Sequence, residues 1–150
     1  MELKEIITPE RTLYLDKVYS SKKELLGEML DHLLKKDGLL DHKAEILQTL
    51  VDREESMSTG IGQGIAIPHC STDYEKDLSA LLAVLKNPLD YQSVDEDPVR
   101  IVILMLLPKD RFEKHIKTLA AIARQFNQPE FRREIGTADS AEAIYTLIQR

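Results

Sequence analysis

The chain has little of several residue types that mark particular functions. It contains no tryptophan and only one cysteine, Cys70, among its 150 residues. A lone cysteine cannot form an internal disulfide, and the sequence has no Cys-x-x-Cys or His-x-x-x-His pair from which a metal site is usually built. Basic residues are outnumbered, with 20 Lys and Arg against 26 Asp and Glu and a net charge of -6. We therefore expect no metal and no nucleic-acid partner.

Long apolar segments are also missing. The longest apolar run, Ile101 to Leu107, is far shorter than the roughly 20 residues that a membrane-spanning helix needs. The N-terminal sequence MELKEIITPE lacks the basic-then-apolar order of a secretory signal peptide. With 43% hydrophobic and 31% charged residues, the composition is that of an ordinary globular protein. These features predict a cytoplasmic protein that is not embedded in a membrane and folds as one domain over residues 1–150.

Apolar periodicity alternates between helical and strand-like segments. Helical spacing follows the capping pair Ser21 and Glu24 and ends at Gly38. The same criteria predict further helices at about 43–54 and 112–126, one beginning at Pro129, and a last one capped by Asp139. Strands are predicted at Thr12–Leu15, Ile65–Ile67, Ala80–Leu85 and Val99–Leu107. This order predicts an α/β (α+β) fold, a three-layer α/β/α sandwich whose mixed central sheet is flanked by helices.

The most informative segment runs from Ser58 to His69, with the sequence STGIGQGIAIPH. Three alternating glycines lead into a short apolar strand that is predicted to end by presenting His69, directly after Pro68. The pKa of imidazole lies near neutrality, so a neutral ring can attack an electrophile without an activating base. The alternative is that Pro68-His69 merely ends a strand, and the residues alone favour neither interpretation.

The glycines themselves allow two interpretations. Together with the hydroxyls of Ser58 and Thr59, their backbone could donate hydrogen bonds to an anion. The segment lacks the Lys-Ser or Lys-Thr that follows a nucleotide-binding glycine loop, so we expect no nucleotide and no other cofactor. A tight glycine turn is the more economical interpretation.

Two further side chains could support chemistry at His69. Arg53 lies just upstream, at the predicted end of a helix, where its guanidinium could hold two phosphoryl oxygens or simply face solvent. Glu54 could orient that arginine or belong to a charged helix end. His115 shares one helical face with apolar residues, which aims an ionisable ring at the core, either as a satisfied interior histidine or as a second functional one. The two other histidines, His32 and His42, are interpreted as structural or solvent residues.

These segments together resemble the fructose/mannitol/nitrogen-type IIA domain of the bacterial phosphoenolpyruvate-dependent phosphotransferase system. The resemblance spans nearly the whole chain, and its most specific part is the string Thr59 to His69. The segments that look most like the free-standing nitrogen-regulatory branch are Ile7-Thr8-Pro9-Glu10, Ser21-Lys22-Lys23 and Leu107-Pro108. The remaining matching segments are Arg53-Glu54, Asn87-Pro88-Leu89-Asp90-Tyr91, Asp95 with Pro98-Val99, and His115 with Leu119.

The resemblance implies a phosphohistidine carrier. It implies that His69 accepts a phosphoryl group through Nε2 from a histidine phosphocarrier protein, of the general or the nitrogen type. Arg53 and His115 then lie beside the phosphoryl group, and Ser58 and Thr59 offer short hydroxyls to it. The recipients would be regulatory target proteins or a IIB domain.

Two departures from the family pattern stand near the site. The family often has glycine after the active histidine and commonly a basic residue next, whereas Cys70 and Ser71 follow here. The usual Asp-Gly before the x-Pro-Val element is Asp95-Glu96, which removes the residue best suited to a positive φ. We expect altered partner contacts and another turn at this hairpin.

Three functions remain open on the sequence. The first is a phosphotransferase component with a nitrogen-type regulatory role. The second is a sugar-specific IIA component, of the fructose or mannitol type, that passes its phosphoryl group to a IIB domain for sugar uptake. The third is a non-catalytic protein-binding module on the same fold.

Overall fold

The computed structural model describes residues 2–150 and shows a mixed sheet between two layers of helices. The strands are β1 (Thr12–Leu15), β2 (Gly60–Gly62), β3 (Ile65–Ala66), β4 (His69–Thr72), β5 (Ser79–Leu89) and β6 (Val99–Pro108). The helices are α1 (Leu3–Ile6), α2 (Lys22–Asp37), α3 (Lys43–Ser56), α4 (Phe112–Phe126), α5 (Pro129–Thr137) and α6 (Ala141–Ile148). The predicted α/β class is confirmed.

The sheet is built around the antiparallel pair β5 and β6. Strand β1 pairs in parallel with β5, while β3 and β4 follow one another in parallel along the other edge of β6. Strand β2 pairs antiparallel with β3 as the outermost strand. The two central strands are buried on both faces over most of their length, which explains their nearly continuous apolar sequences.

Alternate residues of β5 and β6 face two separate apolar layers. Leu81, Ala83 and Leu104 pack with residues of α2 and α3, such as Leu30 and Leu50. The intervening residues of the same strands, such as Leu82, Ile103 and Met105, pack with residues of α1, α4, α5 and α6. This alternation is what the two-residue period of a strand dictates, and it produces the predicted three-layer sandwich.

Capping and turn residues in the sequence predicted most ends of the helices and strands at or near the residues where the structure has them. Ser21 caps α2 by accepting a hydrogen bond from the Glu24 amide, and Gly38 ends the helix with φ of 72°. The last helix differs from the prediction, because its N-cap is Ser140 rather than Asp139. The Ser140 hydroxyl accepts a hydrogen bond from the Ala143 amide at 3.1 Å. No helix within residues 2–150 has the length and apolar character needed to cross a membrane.

A pair of carboxyl groups joins α2 to the segment before β5. Asp37 accepts hydrogen bonds from Arg11 Nη2 at 2.7 Å and from the Ser79 hydroxyl at 2.5 Å. Burial and the neighbouring Asp37 raise the pKa of Glu75, whose Oε2 is buried. Burial alone would raise the pKa of Asp37, but hydrogen bonds from Glu75, Ser79 and Arg11 lower it instead. Glu75 is therefore largely protonated at neutral pH, beside the ionised Asp37.

This pair predicts a pH-dependent stability. Because the pKa of Glu75 is higher in the folded protein than in the unfolded chain, the free energy of unfolding should fall as pH rises from about 5 to about 9. Glu75→Gln, which stays neutral, should flatten that slope, as measured by urea unfolding across the range. The lowered pKa of Asp37 acts only at acid pH, below this window. Glu113→Gln, at an exposed position, is the control. Equal slopes in the wild type, Glu75→Gln and Glu113→Gln would contradict the raised pKa of Glu75.

Candidate active site

The glycine segment forms a tight hairpin made by β2 and β3. Gly62 and Gly64 have φ of 94° and 79°, which side chains rarely adopt. A Cβ on Gly60 would lie 2.2 Å from the Ser93 hydroxyl oxygen, so only glycine fits there. The Gln63 amide donates to Asp95 Oδ2 at 2.9 Å. The glycines therefore form the turn that the sequence favoured, and they pack it against the segment around Asp95.

The turn at Asp95-Glu96 places a non-glycine residue at a positive φ. Glu96 itself takes a positive φ, 62°, in the place where the family usually has glycine. Hydrogen bonds from the amides of Gln63 and Asp97 to the Asp95 carboxylate hold this turn in place.

His69 begins a strand rather than ending one, which corrects the sequence prediction. The strand is interrupted at Ile67 and Pro68, although the Pro68 carbonyl accepts a hydrogen bond from the Met105 amide of β6 at 2.9 Å. His69 then pairs with Met105 as the first residue of β4. The register with β6 is the same on both sides of the break, so His69 follows Ile65 and Ile67 on the face that α4 covers. The break exposes part of the imidazole while its backbone stays in the sheet.

One ring nitrogen of His69 is committed to the backbone. Nδ1 lies 2.8 Å from the Ile67 carbonyl oxygen, which can only accept, so the proton resides on Nδ1 and the Nε2 lone pair is free. Burial lowers the pKa of His69, and the positive charge of Arg53 lowers it further. The Ile67 carbonyl and Glu54 oppose this without reversing it. At neutral pH the ring is therefore a neutral imidazole with a nucleophilic nitrogen.

Arg53 lies in the last turn of α3, close enough for its charge to act on His69. Its Nη1 donates to the Met57 carbonyl at 2.8 Å, which holds the guanidinium at the end of the helix without neutralising it. The side chain is partly exposed. Arg53 is therefore near enough to His69 for its charge to lower the pKa of the imidazole.

Glu54 does not orient Arg53; it is the centre of a buried network that the sequence analysis missed. Only 6% of Glu54 is exposed, and its carboxylate accepts hydrogen bonds from the Thr59 hydroxyl and amide. It also accepts hydrogen bonds from the Tyr91 hydroxyl at 3.0 Å and from Lys22 Nζ at 3.3 Å. Burial and Glu54 raise the pKa of Tyr91, which keeps the phenol protonated as a donor.

This network fixes the loop that carries Ser58 and Thr59. The Ser58 hydroxyl donates to the Tyr91 carbonyl at 3.0 Å, and the Thr59 hydroxyl donates to Glu54. The Thr59 carbonyl accepts a hydrogen bond from the Ile67 amide at 3.0 Å. Both hydroxyl hydrogens are therefore engaged, and the loop is held against the strand that leads to His69.

His115 is buried, with only 1% of the residue exposed, as its helical face predicted. Neither ring nitrogen has a hydrogen-bond partner, although Nε2 lies 3.6 Å from Asp77 Oδ1. It belongs to α4, on the side of the sheet that His69 faces. Phe112 and Ile116, two apolar residues that flank His115 on α4, are 39% and 47% exposed.

Neither of the two remaining histidines is buried. His42 stacks on Tyr74 with ring centroids 3.7 Å apart, and His32 is exposed on α2. Within the described part of the chain, no three His, Cys, Asp or Glu residues are grouped so that they could hold a metal ion.

Fold and site together define a class: a small α/β sandwich with a neutral, half-buried histidine beside an arginine, held by a glycine hairpin. The chain belongs to the family described as phosphoenolpyruvate-dependent sugar phosphotransferase system, EIIA 2, whose model matches residues 5–150. It is 33% identical over 149 residues to a nitrogen regulatory protein of Pseudomonas aeruginosa, covering 99% of this chain and 95% of that protein.

Solved structures agree with this assignment. The crystal structure of nitrogen regulatory protein IIA-Ntr from Neisseria meningitidis superposes with a TM-score of 0.86 and 29% identity, covering 97% of this chain and 98% of that one. A complex of enzyme IIA-Mtl with phosphorylated enzyme IIB-Mtl from Escherichia coli gives a TM-score of 0.74 at 18% identity, covering 95% and 96% of the two chains. The latter likeness is evidence of the fold alone.

Proposed function

We propose that the protein carries a phosphoryl group on Nε2 of His69. The observation that carries this proposal is the hydrogen bond from Nδ1 to the Ile67 carbonyl, which leaves Nε2 unprotonated beside the Arg53 charge. The donor is a histidine phosphocarrier protein of the phosphotransferase system. The Nε2 lone pair forms the new P–N bond while the P–N bond to the donor histidine breaks, and the donor imidazole keeps the electron pair of that bond.

The surrounding residues have separate roles in this proposal. Arg53 binds the phosphoryl oxygens through its planar guanidinium, which suits charge spread over several oxygens. His115 supports the phosphoryl group as a second ring donor, since its nitrogens have unused hydrogen-bonding capacity. Ser58 and Thr59 line the phosphoryl site, and Ser58 would turn its hydroxyl from the Tyr91 carbonyl towards an oxygen. Positioning and charge stabilisation are the main demands of phosphoryl transfer.

We further propose that this carrier has a nitrogen-type regulatory role and works in the cytoplasm as one domain, residues 1–150. The similarity to the nitrogen regulatory protein of Pseudomonas aeruginosa over nearly the full length of both chains supports this role. A sugar-specific role with transfer to a IIB domain is the second candidate, favoured by the sugar phosphotransferase family to which the chain belongs. A protein-binding module without chemistry is third, and the combination of Arg53, His69 and His115 weighs against it.

A reconstituted phosphorylation assay tests the proposal. The protein is incubated with phosphoenolpyruvate, the first enzyme of the cascade and its histidine phosphocarrier, and intact mass is measured before and after acid treatment. We expect one acid-labile phosphoryl group per chain. The same phosphorylated protein is then mixed with fructose-type and mannitol-type IIB domains; rapid transfer to either would contradict the regulatory role and favour the sugar-specific one.

Arg53→Lys should slow phosphorylation without unfolding the protein. A lysine retains the charge but cannot make a two-pronged contact with phosphoryl oxygens, so we expect a transfer rate about 10-fold to 100-fold lower. Rapid-quench kinetics with the phosphocarrier as donor measure this rate, and urea unfolding checks stability. Arg111→Lys, an exposed position at the start of α4, is the matched control. Equal rates for the two variants would rule out a role of Arg53 at the phosphoryl group.

A further inference from the structure

A groove of about 590 Å³ lies beside the glycine hairpin, and His69 is not part of its lining. It is formed by Gln63 and Gly64 of the hairpin, the start of β6 and helix α5. Its volume falls within the range of about 300 to 1,000 Å³ that is usual for small-molecule sites. Three arginines line it, namely Arg100, Arg132 and Arg133, while Asp97 is the one acidic residue at its wall.

Two of these guanidinium groups are held in place by backbone carbonyls. Arg100 Nη1 donates to the carbonyls of Leu85 and Lys86, at 3.3 Å each. Arg132 Nη1 donates to the Phe126 carbonyl at 3.0 Å, at the end of α4. Each contact uses one nitrogen of the guanidinium and leaves the other N–H groups available. Both side chains are thereby oriented before any ligand binds, which lowers the entropy cost of binding.

The positive charge of the groove is not neutralised by the protein itself. Across residues 2–150, none of the three arginines forms an ion pair with a carboxylate. The chain as a whole is acidic, with 26 acidic residues against 20 basic ones. By contrast, Arg11 and Arg150 pair with Asp37 and Glu134. The groove lining carries three arginines against one aspartate, an excess of two positive charges.

We propose that this groove binds a small organic phosphate, a dianionic phosphomonoester whose phosphate contacts the arginines. Guanidinium groups match phosphate oxygens in pairs, and the excess of two positive charges matches a phosphomonoester dianion. Beside the polar Gln63 and Thr137, the lining offers apolar surface to the organic part of the ligand at Pro88, Pro98, Ile101 and Pro129. The site is separate from His69, so this inference goes beyond the proposed carrier function.

Binding of AMP, with adenosine and inorganic phosphate as partial ligands, tests the inference by isothermal titration calorimetry at low salt. We expect AMP to bind with a dissociation constant below about 1 mM, inorganic phosphate to bind more weakly, and adenosine not to bind. Amide shifts in ¹⁵N-labelled protein should concentrate at Gly64, Ile101 and Gly136, which line the groove. Absence of AMP binding, or adenosine binding as tightly as AMP, would overturn the inference.

Matched variants locate the site. Arg133→Gln removes an exposed arginine of the groove and should weaken AMP binding about tenfold, the effect of one lost charge-assisted contact. Arg111→Gln makes the same charge change near the opposite end of β6 and should leave binding within about twofold of wild type. His69→Ala should bind AMP normally, which separates this site from the proposed phosphorylation site. Equal weakening by Arg133→Gln and Arg111→Gln would show a diffuse charge effect and refute the groove.

Discussion

Replacing His69 by alanine is expected to abolish phosphorylation, with a rate at least about a thousandfold below wild type. The reason is chemical: the free Nε2 is the nucleophile, and neither Arg53 nor the hydroxyls engaged with Tyr91 and Glu54 can replace it. The protein should remain folded, because the side chain is only half-buried and its one polar contact is to the Ile67 carbonyl. Intact mass after incubation with the donor cascade measures the effect.

The chain offers two matched controls for this substitution. His32→Ala removes an exposed histidine on α2 and should be phosphorylated at the wild-type rate. His115→Ala should be folded, by circular dichroism, and should gain its phosphoryl group more slowly or lose it sooner. A His69→Ala protein that gains as much acid-labile phosphate as wild type would remove His69 from its proposed role. Unfolding of His115→Ala would favour a purely structural role for that residue.

Glu54→Ala should cause the largest loss of stability among substitutions near the site. It removes the acceptor of four hydrogen bonds and leaves the partly buried Lys22 ammonium and the Thr59 and Tyr91 groups without their partner. Breaking one side of a buried ion pair costs about 3 to 5 kcal/mol, and we expect a loss of free energy of unfolding in that range. Phosphorylation should also slow in the folded fraction, because the loop of Ser58 and Thr59 loses its anchor.

Urea unfolding at several temperatures and rapid-quench transfer kinetics measure the two effects of this substitution. Glu55→Ala is the matched control, since its side chain is the exposed neighbour on the same helix turn and should change stability by less than about 0.5 kcal/mol. If Glu54→Ala were no less stable than Glu55→Ala, the buried network would not hold the loop. Lys22→Ala should lose less than Glu54→Ala, because it removes one of the four donors.

Most of the fold was predictable from local signals. The strand Thr12–Leu15 and the caps at Ser21 and Gly38 were predicted at the residues where the structure places them. The apolar pattern of β5 and β6 predicted burial on both faces, because side chains of a strand alternate between layers and both layers here are helical. Such features depend on neighbours in sequence, so they can be predicted from the sequence alone.

The features that were missed depend on contacts distant in sequence. The role of Glu54 depends on Tyr91 and Lys22, which are distant in sequence and approach its carboxylate from other elements. In the sequence, Lys22 and Tyr91 stand out only as members of segments that resemble the family, and nothing there links them to Glu54. Nothing local shows that the chain resumes pairing with β6 after Pro68, so His69 was assigned to the end of a strand. The exposure of Ile116 likewise depends on what packs against α4 and not on the apolar pattern of the helix itself.

Nuclear magnetic resonance of the phosphorylated protein shows directly whether Nε2 of His69 carries the phosphoryl group. Protein labelled with ¹⁵N in its histidine rings is phosphorylated by the donor cascade, and coupling between phosphorus and ring nitrogen is measured. We expect one coupled nitrogen, Nε2 of His69, while Nδ1 stays protonated and hydrogen-bonded to the Ile67 carbonyl. Coupling to Nδ1 of His69, or to a ring nitrogen of His32, His42 or His115, would contradict it.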